Sequence, residues 1–404
     1  MKSPKNESLS RRLCVFVGSY ADGPGGGSGG VSLYEVSPGG RDLTLCSHLD
    51  EPRQAGFLVY APTLWTLFAV DERKTDGRGP VQSPAAVHAI RVEPTTRTMK
   101  PLNLLSTVGP FPTYLSVAPG RHLLVSANHG SFEHVEHVVA GPHGGWDVEY
   151  LYDDSTVVTY GLGADGSVES IQDVQILREG GTDPNSSPQA GGHAQAAAHA
   201  HCAVIDPSGR YVVVCDKGSD TVTVYELGPK LRPVSTYRFA PQTAPRHLAF
   251  DPLSDRAYLT CELSSELVSL AFDASQGVFT FLGRCSSVAE GFTALNEPAE
   301  VRVHPGGSFV YVNNRGEDTL AWFEAGTDGS LRRTGSVPLA PSVHPGLAAR
   351  SFAIDPTGSL LLLADRPGNV VRSYEIDHNT GTLAHLADTA VADPAYLEFA
   401  EFPS

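Results

Sequence analysis

No stretch of this chain comes near the roughly 18 consecutive apolar residues that a membrane-spanning helix needs. The opening residues, MKSPKNESLSRRLCVFVGSY, lack the apolar run of a signal peptide, so a cytoplasmic location is the default expectation. Basic residues are in deficit: 29 Lys and Arg stand against 45 Asp and Glu, a formal charge of -16. A general nucleic-acid binder needs a basic face, and docking on an anionic membrane needs the same, so neither partner is expected. A small anionic substrate stays open, because a few arginines can make a local positive site. None of the six cysteines forms a CxxC pair. Most lie in apolar strand-like runs, which favours reduced, buried thiols over three disulfides.

Several catalytic signatures are also missing. There is no HExxH, no EF-hand loop and no GxSxG placed between an apolar strand and a helix, so serine-nucleophile hydrolysis is not signalled. The glycine-rich segment GPGGGSGG (23–30) has no lysine and no helix after it, which makes it an inter-strand loop rather than a phosphate cradle. Helical patterns of 10–15 residues between strands are nearly absent, and this argues against a TIM barrel or Rossmann unit.

Turn residues, in contrast, are abundant: 41 Gly and 30 Pro in 404 residues imply a chain that reverses often, through many short strands. A repeat runs along its length: a short strand, a Pro-centred turn, a β-rich strand, then a polar turn. Copies include LSVAPGRHLLVSANHG (115–130), AVIDPSGRYVVVCDKG (203–218), VRVHPGGSFVYVNNRG (301–316) and FAIDPTGSLLLLADRP (352–367). The turn prolines, Pro62, Pro119, Pro207, Pro252, Pro305 and Pro356, are spaced by 57, 88, 45, 53 and 51 residues. These periods match four-stranded propeller blades. A further unit is split across the termini, with CVFVGSY (14–20) as its second strand and AYLEFAEF (395–402) as its first. The expected fold is therefore an all-β, seven-bladed β-propeller with terminal strand closure. It forms a single domain over 13–404, preceded by a flexible tail over 1–12. The spacing of 88 holds two insertions, 131–154 and 178–199, expected as irregular segments that form a lid or site wall.

The repeat places function on one rim, where the first strand of each unit starts and the second ends. First-strand starts carry Tyr114, His199, His201, Arg246, His247, Glu300 and Arg350. Second-strand ends carry Asp71, Glu72, Asn128, His129, Asp216, Lys217, Glu262, Asn314, Arg315, Asp365 and Arg366. Such a ring either pairs internally, locking blades together, or faces a wet pocket. A central funnel site is the favoured expectation. His199 and His201, two apart on one strand, are expected to point the same way. His129, His134, His137, His143 and His193, with nearby carboxylates, match no known zinc spacing, so no metal and no cofactor are expected.

These motifs resemble the seven-bladed propeller lactonase family, which includes the bacterial cycloisomerase-type 6-phosphogluconolactonases. The resemblance is carried by HAHCAVIDPSGRYVVVCDKGSDTVTVYEL (199–227), PRHLAFDP with AYLTCELSSELVSL (245–270), NEPAEVRVHPGGSFVYVNNRGEDTLAWF (296–323) and ARSFAIDPTGSLLLLAD with GNVVRSYEID (349–377). It implies hydrolysis of a sugar lactone, 6-phosphogluconolactone or a related aldonolactone, by activated water in the central channel. The enzyme is then a carboxylic-ester hydrolase of carbohydrate metabolism. Catalytic roles fall to Glu262 as general base, with His199 or His201 as alternatives, and to Arg315 facing the oxyanion. Substrate binding falls to Arg246, Arg350, Glu300, Asn128, His129 and Asn314. The sequence departs from the family at Ala194–Gln195, where Arg-Gln is usual, and at Asp365–Arg366, so one phosphate ligand is missing and the substrate could be unphosphorylated. Two alternatives remain: a lactonising or isomerising enzyme acting on a muconate-type dicarboxylate, and a non-catalytic binding propeller. A closed propeller needs no partner to complete its core, so oligomeric state is not legible.

Overall fold

The computed structural model describes residues 11–74, 85–183, 192, 194–343 and 346–403. The repeat unit folds as its turn chemistry dictates. In the DPSG turn, the Asp206 carboxylate accepts hydrogen bonds from the Ser208 amide at 3.0 Å and the Tyr211 amide at 2.7 Å. Asp355 does the same in the DPTG turn, from Thr357 at 3.1 Å and Leu360 at 2.7 Å. Gly209 and Gly358 complete these turns at φ 69° and 77°, a left-handed conformation that glycine adopts freely. Strands that follow these turns, such as Tyr211–Asp216 and Leu360–Asp365, are buried throughout, while outermost strands such as Thr98–Ser106 are mostly half-buried or exposed.

Seven four-stranded antiparallel sheets result. Their innermost strands are Pro394–Pro403, Leu58–Ala61, Pro112–Ala118, Ala200–Ile205, Pro245–Phe250, Glu297–Val303 and Ser351–Ile354, in blades one to seven. Each neighbours the next, and the last returns to the first, so the ring is closed. The closing blade combines Pro394–Pro403 with Arg11–Ala21, in a register that pairs Val17 with Leu397 and Arg12 with Phe402. Strand pairing thus starts at Arg11, two residues before the expected boundary; the remainder of the expected tail, 1–10, lies outside the described residues. The buried Phe402 ring packs on Phe16, Tyr60 and Trp65, with centroids 5.8–6.3 Å away. All six cysteines are unbridged.

The insertion at 131–154 differs from its expected irregularity. It forms a regular hairpin of His134–Ala140 and Trp146–Tyr152, outside the blades. Of the second insertion, residues 184–191 and His193 lie outside the described residues. Among the described residues no helix is long and apolar enough to cross a membrane.

Candidate active site

A cavity of about 960 Å³ opens where the innermost strands begin. β-Bulges at these strand starts decide which side chains reach it. His201 has no ladder partner between the pairs Ala200–Asp216 and Cys202–Cys215. Arg246 and His247 together oppose only Thr260, and Ala299 and Glu300 together oppose only Asn313. A regular strand would send neighbouring side chains to opposite faces; a bulge re-aims one of them. The bulged backbone is held by side chains: the Glu300 amide donates to Asn313 Oδ1 at 2.7 Å, and Thr260 Oγ1 donates to the Ala299 carbonyl at 2.9 Å.

The floor of the cavity is a buried ionic node. Glu262 Oε2 accepts from Arg246 Nε and Arg315 Nη2, both at 2.9 Å, and Oε1 accepts from Lys217 Nζ at 2.5 Å. Arg315 also meets Glu297 Oε2 at 3.0 Å. Burial alone would raise the Glu262 carboxyl pKa, but Lys217, Arg315 and Arg246 together hold it well below the usual range. Arg246 is pushed down to about 9, first by burial and then by Arg315, and it remains cationic at neutral pH. Its Nη1 is buried without a hydrogen-bond partner among the described residues, although Arg246 borders the cavity.

Beside this node lies a chain of three side chains. Glu300 Oε1 is 3.3 Å from His247 Nδ1, and His247 Nε2 is 3.1 Å from His201 Nδ1. Burial opposes the Glu300 charge, but Arg302 and His247 outweigh it and keep the carboxyl below its usual value. An ionised Glu300 fixes the order of protons: His247 Nδ1–H donates to it, so His247 Nε2 accepts from His201 Nδ1–H. The lone pair of His201 is then on Nε2, and His201 lines the cavity. Burial, reinforced by Arg246, keeps both rings neutral: His247 falls to about 4, and His201 lies well below its ordinary value.

The sequence-derived residues divide accordingly. Glu262, His201, Arg315, Arg246, Arg350 and His129 border the cavity. Arg350 is engaged by the Tyr20 hydroxyl at 2.8 Å and Glu72 at 3.2 Å. His199 corrects an expectation. It precedes the strand that begins at Ala200 instead of sharing it with His201, and its Nδ1 meets the His129 carbonyl at 2.9 Å while its ring stacks on His129. Asn128 and Asn314 are not among the cavity residues. Asn128 donates to Thr156 in its own blade and to the Thr107 carbonyl after the outermost strand of the preceding one, and Asn314 donates to the Ser287 carbonyl. Glu300 lies behind His247, borders a separate 390 Å³ cavity around the Pro207, Pro252 and Pro305 turns, and does not line the main one. Among the charged cavity residues, Glu297 and Lys74 carry no sequence-derived role, and Lys217 and Glu72 are rim positions only. The signal for Glu297 was its place in Asn296–Glu297–Pro298, ahead of a bulge that pattern reading cannot register. The histidines of the first insertion bring together no group of three or more His, Cys, Asp or Glu able to hold a metal, among the described residues.

Counted over the cavity lining, five cations (Lys74, Lys217, Arg246, Arg315, Arg350) face five carboxylates (Glu72, Glu133, Asp153, Glu262, Glu297). Each cation has a carboxylate within ion-pair distance.

A family profile described as "Lactonase, 7-bladed beta-propeller" matches residues 14–399. The chain belongs to the seven-bladed β-propeller lactonase family. It is similar to the 6-phosphogluconolactonase of Bacillus subtilis, 28% identical over 95% of this chain and 97% of the relative. The 6-phosphogluconolactonase of Pectobacterium carotovorum is 33% identical over 47% of this chain and 57% of the relative. Among solved structures, the periplasmic gluconolactonase of Pseudomonas aeruginosa superposes with a TM-score of 0.78 at 24% identity, covering 98% of this chain and 100% of that one. That likeness bears on the fold, and it corrects one expectation. A propeller of this build works in a periplasm, so the cytoplasmic default drawn from the missing apolar run does not stand.

Proposed function

We propose that this lactonase hydrolyses an uncharged sugar lactone, with water activated by His201. The observation that carries the reading is the Glu300–His247–His201 chain, which ends in a lone pair at the cavity beside Arg246. Water attacks the ring carbonyl carbon while His201 Nε2 takes its proton. The Arg246 guanidinium receives the developing oxyanion. Collapse breaks the ring C–O bond, and the leaving ring oxygen takes the proton back from His201 as a hydroxyl. The product acid ionises in solution, so one proton is released per turnover. Glu262 was the first choice of base on sequence grounds. Both of its carboxylate oxygens are taken up by Lys217, Arg246 and Arg315, and its role here is to orient Arg246 and Arg315. Arg350, His129 and Arg315 contact the sugar from the cavity wall, while Asn128 and Asn314 support them through the blades.

The matched charges favour a neutral lactone over 6-phosphogluconolactone, because a phosphate dianion needs cations not already neutralised. The same balance counts against a muconate-type dicarboxylate. The test is proton release on adding glucono-δ-lactone or its 6-phosphate, measured above the spontaneous rate. The free lactone should react faster, and His201→Gln and Arg246→Ala should each remove most of the enzymatic rate. Loss of an oxyanion donor typically costs about 10²–10³-fold in kcat. A phosphorylated lactone preferred by orders of magnitude would overturn the neutral-substrate reading, and an unaltered His201→Gln rate would overturn the base.

A further inference from the structure

Building on the lactone reading, we infer that the substrate is amphipathic: its ring lies on the polar floor, and an alkyl or aryl arm lies against an apolar wall raised by the inserted hairpin. Four side chains form that wall: Phe111, Phe132, Val135 and Leu151. Val135 and Leu151 are direct cross-strand partners in the hairpin, so they share one face, the one bordering the cavity. They are 59% and 42% exposed, an apolar pair left open at the mouth of a binding cavity.

The polar groups of the same wall are already used on one another. Lys74 Nζ reaches Asp153 at 2.7 Å and Ser131 Oγ at 3.1 Å, and Ser131 Oγ donates to Asp153 at 2.6 Å. Hydrophobic contact is therefore what the wall has left to offer.

Two features show a built surface. Phe132 is held by its neighbours: Lys217 Nζ lies 5.2 Å from its ring centre, and the His199 ring meets it edge-on at 4.7 Å. Phe111, between two prolines, has φ 51°, a left-handed conformation unfavourable for a bulky residue. The same conformation stands at Ala244 and Asp393, each just ahead of the proline that starts an innermost strand, so the blade start itself fixes where the Phe111 ring stands. The volume agrees: about 960 Å³ is at the top of the range of about 300–1,000 Å³ that houses drug-sized ligands, well beyond a bare hexose lactone.

The test separates this inference from the reaction. Binding of octyl β-glucopyranoside, below its micelle concentration, is compared with methyl β-glucopyranoside by calorimetry, in the full chain and in the Val135→Asp/Leu151→Ser double variant. Both positions are exposed, so the variant keeps the core intact. The octyl compound should bind markedly tighter, by roughly fourfold for each methylene buried, and the variant should lose that advantage while treating the methyl compound as before. Equal binding of the two glucosides, or an octyl preference that survives the substitutions, overturns the inference. In parallel, hydrolysis of glucono-δ-lactone is compared with that of its 6-O-octyl ether. Octyl binding without hydrolysis of either lactone keeps the apolar subsite and sinks the lactone reading instead.

Discussion

The imidazoles of His201 and His247 meet at 3.1 Å, Nδ1 to Nε2, across the boundary between the fourth and fifth blades. His247 does not line the main cavity, yet it fixes the tautomer of the ring that does. His247→Gln should therefore lower kcat while leaving KM close to the parent value. The loss should stay within the 10²–10⁴-fold that general base catalysis contributes. A rise in KM with kcat preserved, in steady-state assays on glucono-δ-lactone, would show His247 acting through binding instead.

The buried histidines also predict how stability responds to acid. His199 and His247 titrate at about 4 in the folded protein, and His129 and His201 well below their ordinary value; burial is the first cause in each case. In the unfolded chain the same groups take up a proton near pH 6.5. The unfolded state therefore binds more protons below that pH. The stabilisation from keeping these rings neutral is complete above about 6.5 and is lost as pH falls towards 4. Each histidine contributes up to about 1.4 kcal/mol per pH unit in that window. Thermal midpoints measured from pH 7.5 to 4.5 should fall earlier than carboxylate titration alone would cause, and His247→Gln should flatten the slope.

Glu262 neutralises three buried cations at once. Glu262→Gln keeps the shape and removes the charge, leaving Lys217 and Arg246 without a carboxylate partner. Breaking a buried pair from one side costs about 3–5 kcal/mol. Denaturant unfolding should register a loss of that size, whereas a change below about 1 kcal/mol would mean that water reaches the cations.

At the closure, Phe402 fills a pocket among Phe16, Tyr60 and Trp65. Phe402→Ala should destabilise by about 3–5 kcal/mol, as large-to-small core substitutions of phenylalanine do. Heat should then release the terminal strand first, which hydrogen exchange at the amides of residues 394–403 would report.

Much of this architecture could be read from residues. Asp206, Asp251 and Asp355 precede the turn proline in three units because their carboxylates cap the same turn, whereas Ala61, Ala118 and His304 stand there in the others, so the blade period follows the prolines. The alternation in CVFVGSY and AYLEFAEF was enough to pair the two ends. The rim was legible too, and Arg246, Glu262, Arg315 and Arg350 do come together. What pattern could not supply was register. Period-two counting put His199 and His201 on one strand face and left Glu297 out. The bulges at Ala200–Cys202, Pro245–Leu248 and Pro298–Val301 shift that count by one. Proton order along Glu300, His247 and His201 depends on contacts between blades, which lie 46 and 53 residues apart in sequence. The hairpin at 131–154 was missed as regular structure because Glu, His and Tyr on its exposed strands dilute the apolar alternation.

The strand at 394–403 has a consequence for how the protein is made. It completes a blade whose other strands are formed from residues 11–49, so a ribosome must deliver the six intervening blades before that one has an inner edge. Until then Arg11–Ala21 presents unpaired amides and carbonyls to every other nascent chain nearby, the kind of open edge that recruits foreign strands. Six blades can stack in order of synthesis, but the cavity they enclose takes its final shape only when residues 394–403 arrive.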